Sequence, residues 1–205
     1  MEIIKESLMK EYAMHYFKKI PGKRVYLSPI NPDDAVQYTH WVNDLVVSAN
    51  LGTASNVYSL PAEKAFLENM SKSGHNYAIV HSADNTLLGN CSLMEINPHF
   101  RTATLGIFIG DEDNRGKGYG NEAISLLVEY GFKVLNLNNI MLKLFSFNRA
   151  AFKCYEKVGF REFGRRSRSC FINGRYFDEI YMEIFPENLK AHYLNDCLPG
   201  SEESV

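Results

Sequence analysis

Gly110-Asp111-Glu112-Asp113-Asn114-Arg115-Gly116-Lys117-Gly118-Tyr119-Gly120 joins an apolar run, Ala103 to Ile109, to a segment whose apolar residues recur at helical spacing. Glycine lets the backbone turn sharply and present N–H groups outward. A helix N-terminus behind such a turn makes an anion site suited to a diphosphate. Arg115 and Lys117 add positive charge beside it. The string GxxxxGK[ST] is absent, which removes a nucleoside-triphosphate P-loop. Gly116-x-Gly118-x-Gly120 also has the wrong spacing for the GxGxxG dinucleotide fingerprint.

Outward from this loop the chain reads as a mixed sheet covered by helices. Downstream, Ala123, Ile124, Leu127, Val128 and Tyr130 mark the loop's own helix. Asn139 to Phe145 reads as a strand, Asn148 to Val158 as a helix stopped by Gly159, and Arg161–Phe171 and Tyr176–Ile184 as a hairpin about Asn173-Gly174. Upstream, Asn76–His81 and Leu87–Glu95 are strands around an Ala83-Asp84-Asn85 turn. Arg24–Leu27 reads as a first strand. Helices are predicted from Asn31 past Trp41 and from Ser59 to about Met70. Ile4, Leu8, Tyr12 and Tyr16 predict an amphipathic helix before Pro21-Gly22. A right-handed crossover should place Ala103–Ile109 parallel to Asn139–Phe145.

The 205 residues include 22 basic and 24 acidic side chains, a balance that gives no case for non-specific nucleic-acid binding. Cys91, Cys154, Cys170 and Cys197 form no CxxC or zinc-ligand spacing, so they read as free thiols, with no metal implied. Neither a secretory leader nor an apolar run of membrane-spanning length is evident, so a cytoplasmic location without membrane association is the expectation.

Arg115-Gly116-Lys117-Gly118-Tyr119-Gly120 fits [RQ]-x-x-G-x-[GA], and Asn148-Arg149-Ala150-Ala151-Phe152-Lys153-Cys154-Tyr155-Glu156-Lys157-Val158-Gly159-Phe160 fits N-x-x-A-x-x-x-Y-x-K-x-G-F. Paired at this separation, these segments resemble the two motifs of the GNAT (Gcn5-related) N-acetyltransferase superfamily. Trp41-Val42-Asn43-Asp44 and Asn173-Gly174-Arg175-Tyr176-Phe177-Asp178 resemble its RimJ/RimL-like branch, whose members acetylate protein N-termini, polyamines or amino-sugars. The resemblance implies an α+β fold: a twisted, mostly antiparallel sheet of about 6–7 strands that splays between two central parallel strands. It divides the chain into an N-terminal helical extension (1–20), a GNAT domain (21–186) and a partly disordered tail (187–205).

What the resemblance implies chemically is acetyl transfer from acetyl-CoA to a primary amine. Backbone groups of Ile107, Phe108 and Ile109 would pair with the pantetheine arm, and an N–H there would stabilise the oxyanion. Asn114 and Arg115–Gly120 would hold the diphosphate, and Asn148 the pantetheine. Tyr155 would bind the cofactor and act as general acid, being protonated at neutral pH. The family often places its base in a strand A-E-x-G, but this chain has Ala103-Thr104-Leu105-Gly106. Thr104 is no base, which leaves Glu95, His99, a water chain, or an amine that arrives already neutral and needs no base. Trp41 and Asn43 are candidates for the acceptor side. Arg165, Arg166 and Arg168 read either as a solvated strand edge or as a contact for the cofactor's 3′-phosphate. The acceptor class stays open, as does the choice between monomer and homodimer. A coenzyme A-binding regulatory module without acetyl transfer is the second reading.

Overall fold

The computed structural model describes residues 15–199. Seven strands form one sheet: β1 (Val25–Pro29), β2 (His75–His81), β3 (Leu87–Asn97), β4 (Thr102–Ile109), β5 (Asn139–Phe145), β6 (Arg161–Ile172) and β7 (Arg175–Ile184). Their spatial order is β1-β2-β3-β4-β5-β7-β6, and only the β4–β5 pair is parallel. The expected mixed, mostly antiparallel sheet is therefore present.

Alternation along the strands builds two cores, one on each face. Val25, Leu27, Tyr77, Ile79, Ala103 and Leu105 face one way, against α4 (Tyr119–Lys133) and α5 (Arg149–Val158). Tyr26, Ala78, Val80 and Phe108 face the other, against Tyr38 and Trp41 of α1 (Ala35–Asn43) and Leu67 of α3 (Leu60–Lys72). The predicted caps are in place. Ser59 Oγ accepts from the Ala62 N–H, and Asn31 Oδ1 accepts from that of Asp33. Asn173 and Gly174 both adopt positive φ, 48° and 72°, as the turn of the β6–β7 hairpin.

The helix predicted from Asn31 does run past Trp41, and the local details differ in two places. The helix predicted from Asn31 begins as a 3-10 turn and stops at Asn43. Asp44 then caps a separate α2 (Leu45–Leu51) by accepting from the N–H groups of Val46 and Val47. The N-terminal helix lies for residues 1–14 outside the described residues, and residues 15–20 are not helical. There the Phe17 N–H donates to Ser28 Oγ and Ile20 bridges to Leu27, so sheet pairing overrides the helical periodicity at Tyr16.

The chain after β7 folds back onto the core. Leu189 and Leu194 are buried, and the Tyr193 and Leu194 N–H groups donate to the buried carboxylate of Glu129 at 2.6 and 3.1 Å.

Candidate active site

The parallel pairing of β4 and β5 lasts only three residues, Thr102↔Asn139 to Thr104↔Met141. Beyond Thr104 the two strands part. β4 remains paired with β3 through Ile109, so from Leu105 onward its other edge has no strand beside it. Ile107, Phe108 and Ile109 lie on this open stretch, each half-buried.

The glycine loop begins where that edge ends. A 3-10 turn, Glu112–Asn114, leads into Arg115, and the Asn114 N–H donates to the Asp111 carbonyl. Gly116 and Gly118 sit at φ 73° and 89°, conformations that side chains resist. Gly118 caps α4 without offering a side-chain acceptor. The first-turn N–H groups of the helix thus face the loop mouth. Lys117 is exposed there, while Tyr119 and Gly120 are half-buried at the helix start. The Arg115 guanidinium donates to the carbonyls of Ile109 and Gly110, at 3.2 and 2.5 Å, and ties the loop back to the strand end.

Trp41 is buried, and its indole N–H donates to Asp111 at 2.8 Å. A Cβ on Gly110 would lie 2.1 Å from its ring. Gly110→Ala is therefore expected to destabilise the fold by about 1–3 kcal/mol, read as a lowered Tm. Asn43 donates to the carbonyls of Thr39 and Tyr58 and accepts from the Tyr58 N–H, which fixes the loop before α3. Both residues are occupied with the scaffold on the α1 side. There a cavity of about 200 Å³ is lined by Trp41, Asp111 and Arg115, among others.

Across the splay, Asn148 caps α5 by accepting from the Ala151 N–H at 3.0 Å. It also borders an open groove of about 630 Å³ with Phe145, Phe147, Phe152 and Phe177. Tyr155 lies in the core with its ring against Phe160. Its hydroxyl has no hydrogen-bond partner among the described residues, and burial pushes its pKa above the ordinary phenol range.

Glu95 and Thr104 meet. The β3–β4 register shifts between Met94 and Asn97, and Glu95 takes φ 51° in that bulge. The Thr104 hydroxyl consequently donates to Glu95 Oε2 at 2.7 Å. A carboxylate from the neighbouring strand thus stands beside Thr104. His99 lies elsewhere, exposed in the β3–β4 turn against Phe100. Arg165 pairs with Glu162 and Asp178, and Arg168 lies over the Tyr176 ring, as a self-paired strand edge.

The strand edge left open by the splay thus runs directly to a glycine-bearing helix start. The acetyltransferase (GNAT) domain family matches residues 24–161, and the chain belongs to it. The chain is 35% identical over 133 residues to the spermidine N(1)-acetyltransferase of Vibrio cholerae, covering 65% of this chain and 74% of the relative. With the same-named protein of Escherichia coli K12 the identity is 37% over 114 residues, 56% of this chain and 61% of that one. A crystal structure of the V. cholerae spermidine N-acetyltransferase in complex with CoA and spermine superposes with a TM-score of 0.72 at 26% identity. It covers 82% of this chain and 98% of that one.

Proposed function

We propose that this chain is an acetyl-CoA-dependent N-acetyltransferase of the RimJ/RimL-like branch, acting on a primary amine of a small molecule or a protein N-terminus. The observation that carries this reading is the free edge of β4 after Thr104, running straight into the glycine loop at the start of α4. Acetyl-CoA supplies the activated acetyl group as a thioester. Ile107, Phe108 and Ile109 offer backbone groups to the pantetheine arm, and an N–H of this edge stabilises the oxyanion that develops at the carbonyl. Asn114 and Arg115–Gly120 hold the diphosphate: the loop N–H groups bind it, Lys117 adds charge, and Arg115 keeps the loop in shape. The Asn148 amide N–H₂ remains available to the arm.

Tyr155 holds the proton for the departing thiolate. Glu95 takes the proton from the attacking amine, with Thr104 fixing its carboxylate. Trp41 and Asn43 shape the acceptor side by holding α1 and the loop after it. Glu95→Gln is expected to lower kcat/KM for the amine on the order of 10²-fold. A rate regained as the pH approaches the amine's own pKa would show that the lost group was the base. An unchanged rate would remove Glu95 from that role.

The relatives named for spermidine make a small amine the first acceptor to test. Thiol release from acetyl-CoA over spermidine, N-terminal peptides, amino-sugars and free amino acids tests the function. Release with at least one class is expected. Coenzyme A binding without release on any of them would favour the regulatory-module reading instead. No helix of the described residues is long and apolar enough to cross a membrane.

A further inference from the structure

Arg24, at the entrance to β1, lies 93 residues from the loop in sequence yet donates to the Lys117 carbonyl at 2.8 Å. Its guanidinium lies 4.6 Å from the Tyr119 ring centroid, over the ring face. Nη1 is 3.2 Å from where a Cβ on Gly118 would stand. Among the described residues no carboxylate pairs with this guanidinium, although it has five donors in a fixed fork.

This placement is held from behind. Glu122, on the first turns of α4, is buried, and its Oε1 accepts the N–H groups of Lys23 and Arg24 at 2.6 and 2.8 Å, with Val25 at 3.4 Å. A carboxylate on the loop's own helix therefore fixes the backbone from which Arg24 reaches back to that loop. Gly22 makes room for the wrap, since a Cβ there would lie 2.7 Å from Glu122 Oε1. The Tyr119 ring is steadied in turn by His81, 3.4 Å from its hydroxyl, and His81 pairs with Asp84 at 2.8 Å.

We infer that Arg24 is a further diphosphate-binding residue of the coenzyme A site and that Glu122 is its positioning residue. The assignment rests on the coenzyme A reading above. The loop's N–H groups and the guanidinium converge on one mouth, and a charge-assisted fork to phosphate oxygens is what arginine geometry suits. The sequence pattern of the loop contains no trace of this cation, because it arrives from another strand.

Calorimetric titration of the full chain with coenzyme A, 3′-dephospho-coenzyme A and pantetheine tests the assignment. Arg24→Gln is expected to weaken the first two about tenfold or more and to leave pantetheine unchanged. Arg24→Lys should recover part of the loss, and Glu122→Ala should repeat the pattern with a smaller effect. Thermal unfolding of each variant identifies any that fails to fold, in which case Arg24→Lys carries the comparison. Equal weakening of all three ligands would make Arg24 a fold support and overturn the proposal. Weakening of coenzyme A alone would move the contact to the 3′-phosphate and overturn it too. Wild-type chain that binds pantetheine as tightly as coenzyme A would overturn the coenzyme A reading itself. Wild type that prefers coenzyme A, alongside an unaffected Arg24→Gln, would overturn only the role of Arg24.

Discussion

Gly118→Glu is expected to abolish the thermal stabilisation that acetyl-CoA gives the wild-type chain. At a ligand concentration about a hundred times Kd, binding adds about 2.7 kcal/mol to stability. In a chain of this length that is roughly a 5–10 °C rise in Tm. Gly118 has φ 89°, and the space its Cβ would enter is bounded by the Arg24 guanidinium. A glutamate there strains the backbone, draws Arg24 toward itself and sets a negative charge where the loop N–H groups await an anion. Gly118→Ala separates these effects. It carries a backbone strain of about 1–3 kcal/mol without the charge, so it should lower the Tm of the free protein yet retain part of the ligand-induced rise. Equal ligand-induced rises in wild type and Gly118→Glu would place the cofactor away from this loop.

Tyr155→Phe is expected to lower kcat by roughly 10²- to 10⁴-fold, the range for losing a positioned proton donor. The KM for acetyl-CoA should hardly move. Stability should also be nearly untouched. The Tyr155 hydroxyl has no hydrogen-bond partner among the described residues, so its removal orphans no other group, and the ring keeps its contact with Phe160. The pH profile adds a second reading. Burial raises the phenol's pKa above its ordinary value of 10.0, and the group is competent as an acid only below its pKa. The wild-type rate should therefore show no fall from loss of this proton up to about pH 10. A fall in kcat matched by a fall in Tm would instead mark Tyr155 as a packing residue.

Much of the scaffold was legible because its signals are local. Apolar runs bounded by turn residues located the strands, Asn31 and Ser59 announced helix starts, and Asn173-Gly174 announced the hairpin. The parallel pair followed from the crossover rule and its splay from resemblance to the family, and the pairing limited to Thr102–Thr104 agrees with both. What stayed hidden depends on groups that meet only after folding. Glu95 reaches Thr104 through a bulge, which is a property of two strands in register and leaves no mark on either alone. Arg24 approaches the loop from another strand, held by a glutamate in the first turn of a helix almost a hundred residues away. The short α2 escaped because Leu45-Val46-Val47 reads as an apolar stretch of no clear period, whereas Asp44 as a cap decides it. The polar character of the C-terminal segment concealed two apolar anchors, Leu189 and Leu194, and the backbone bonds to Glu129.

In the proposed function, coenzyme A runs along the open edge of β4 with its diphosphate on the α4 loop. Amide hydrogen exchange with and without coenzyme A tests it most directly, since exchange slows where a ligand accepts an N–H bond or excludes water. Protection is expected at Leu105–Ile109 and at Gly116–Gly120, with no comparable change in the β6–β7 hairpin. Protection confined to other segments, or none at saturating coenzyme A, would contradict the account.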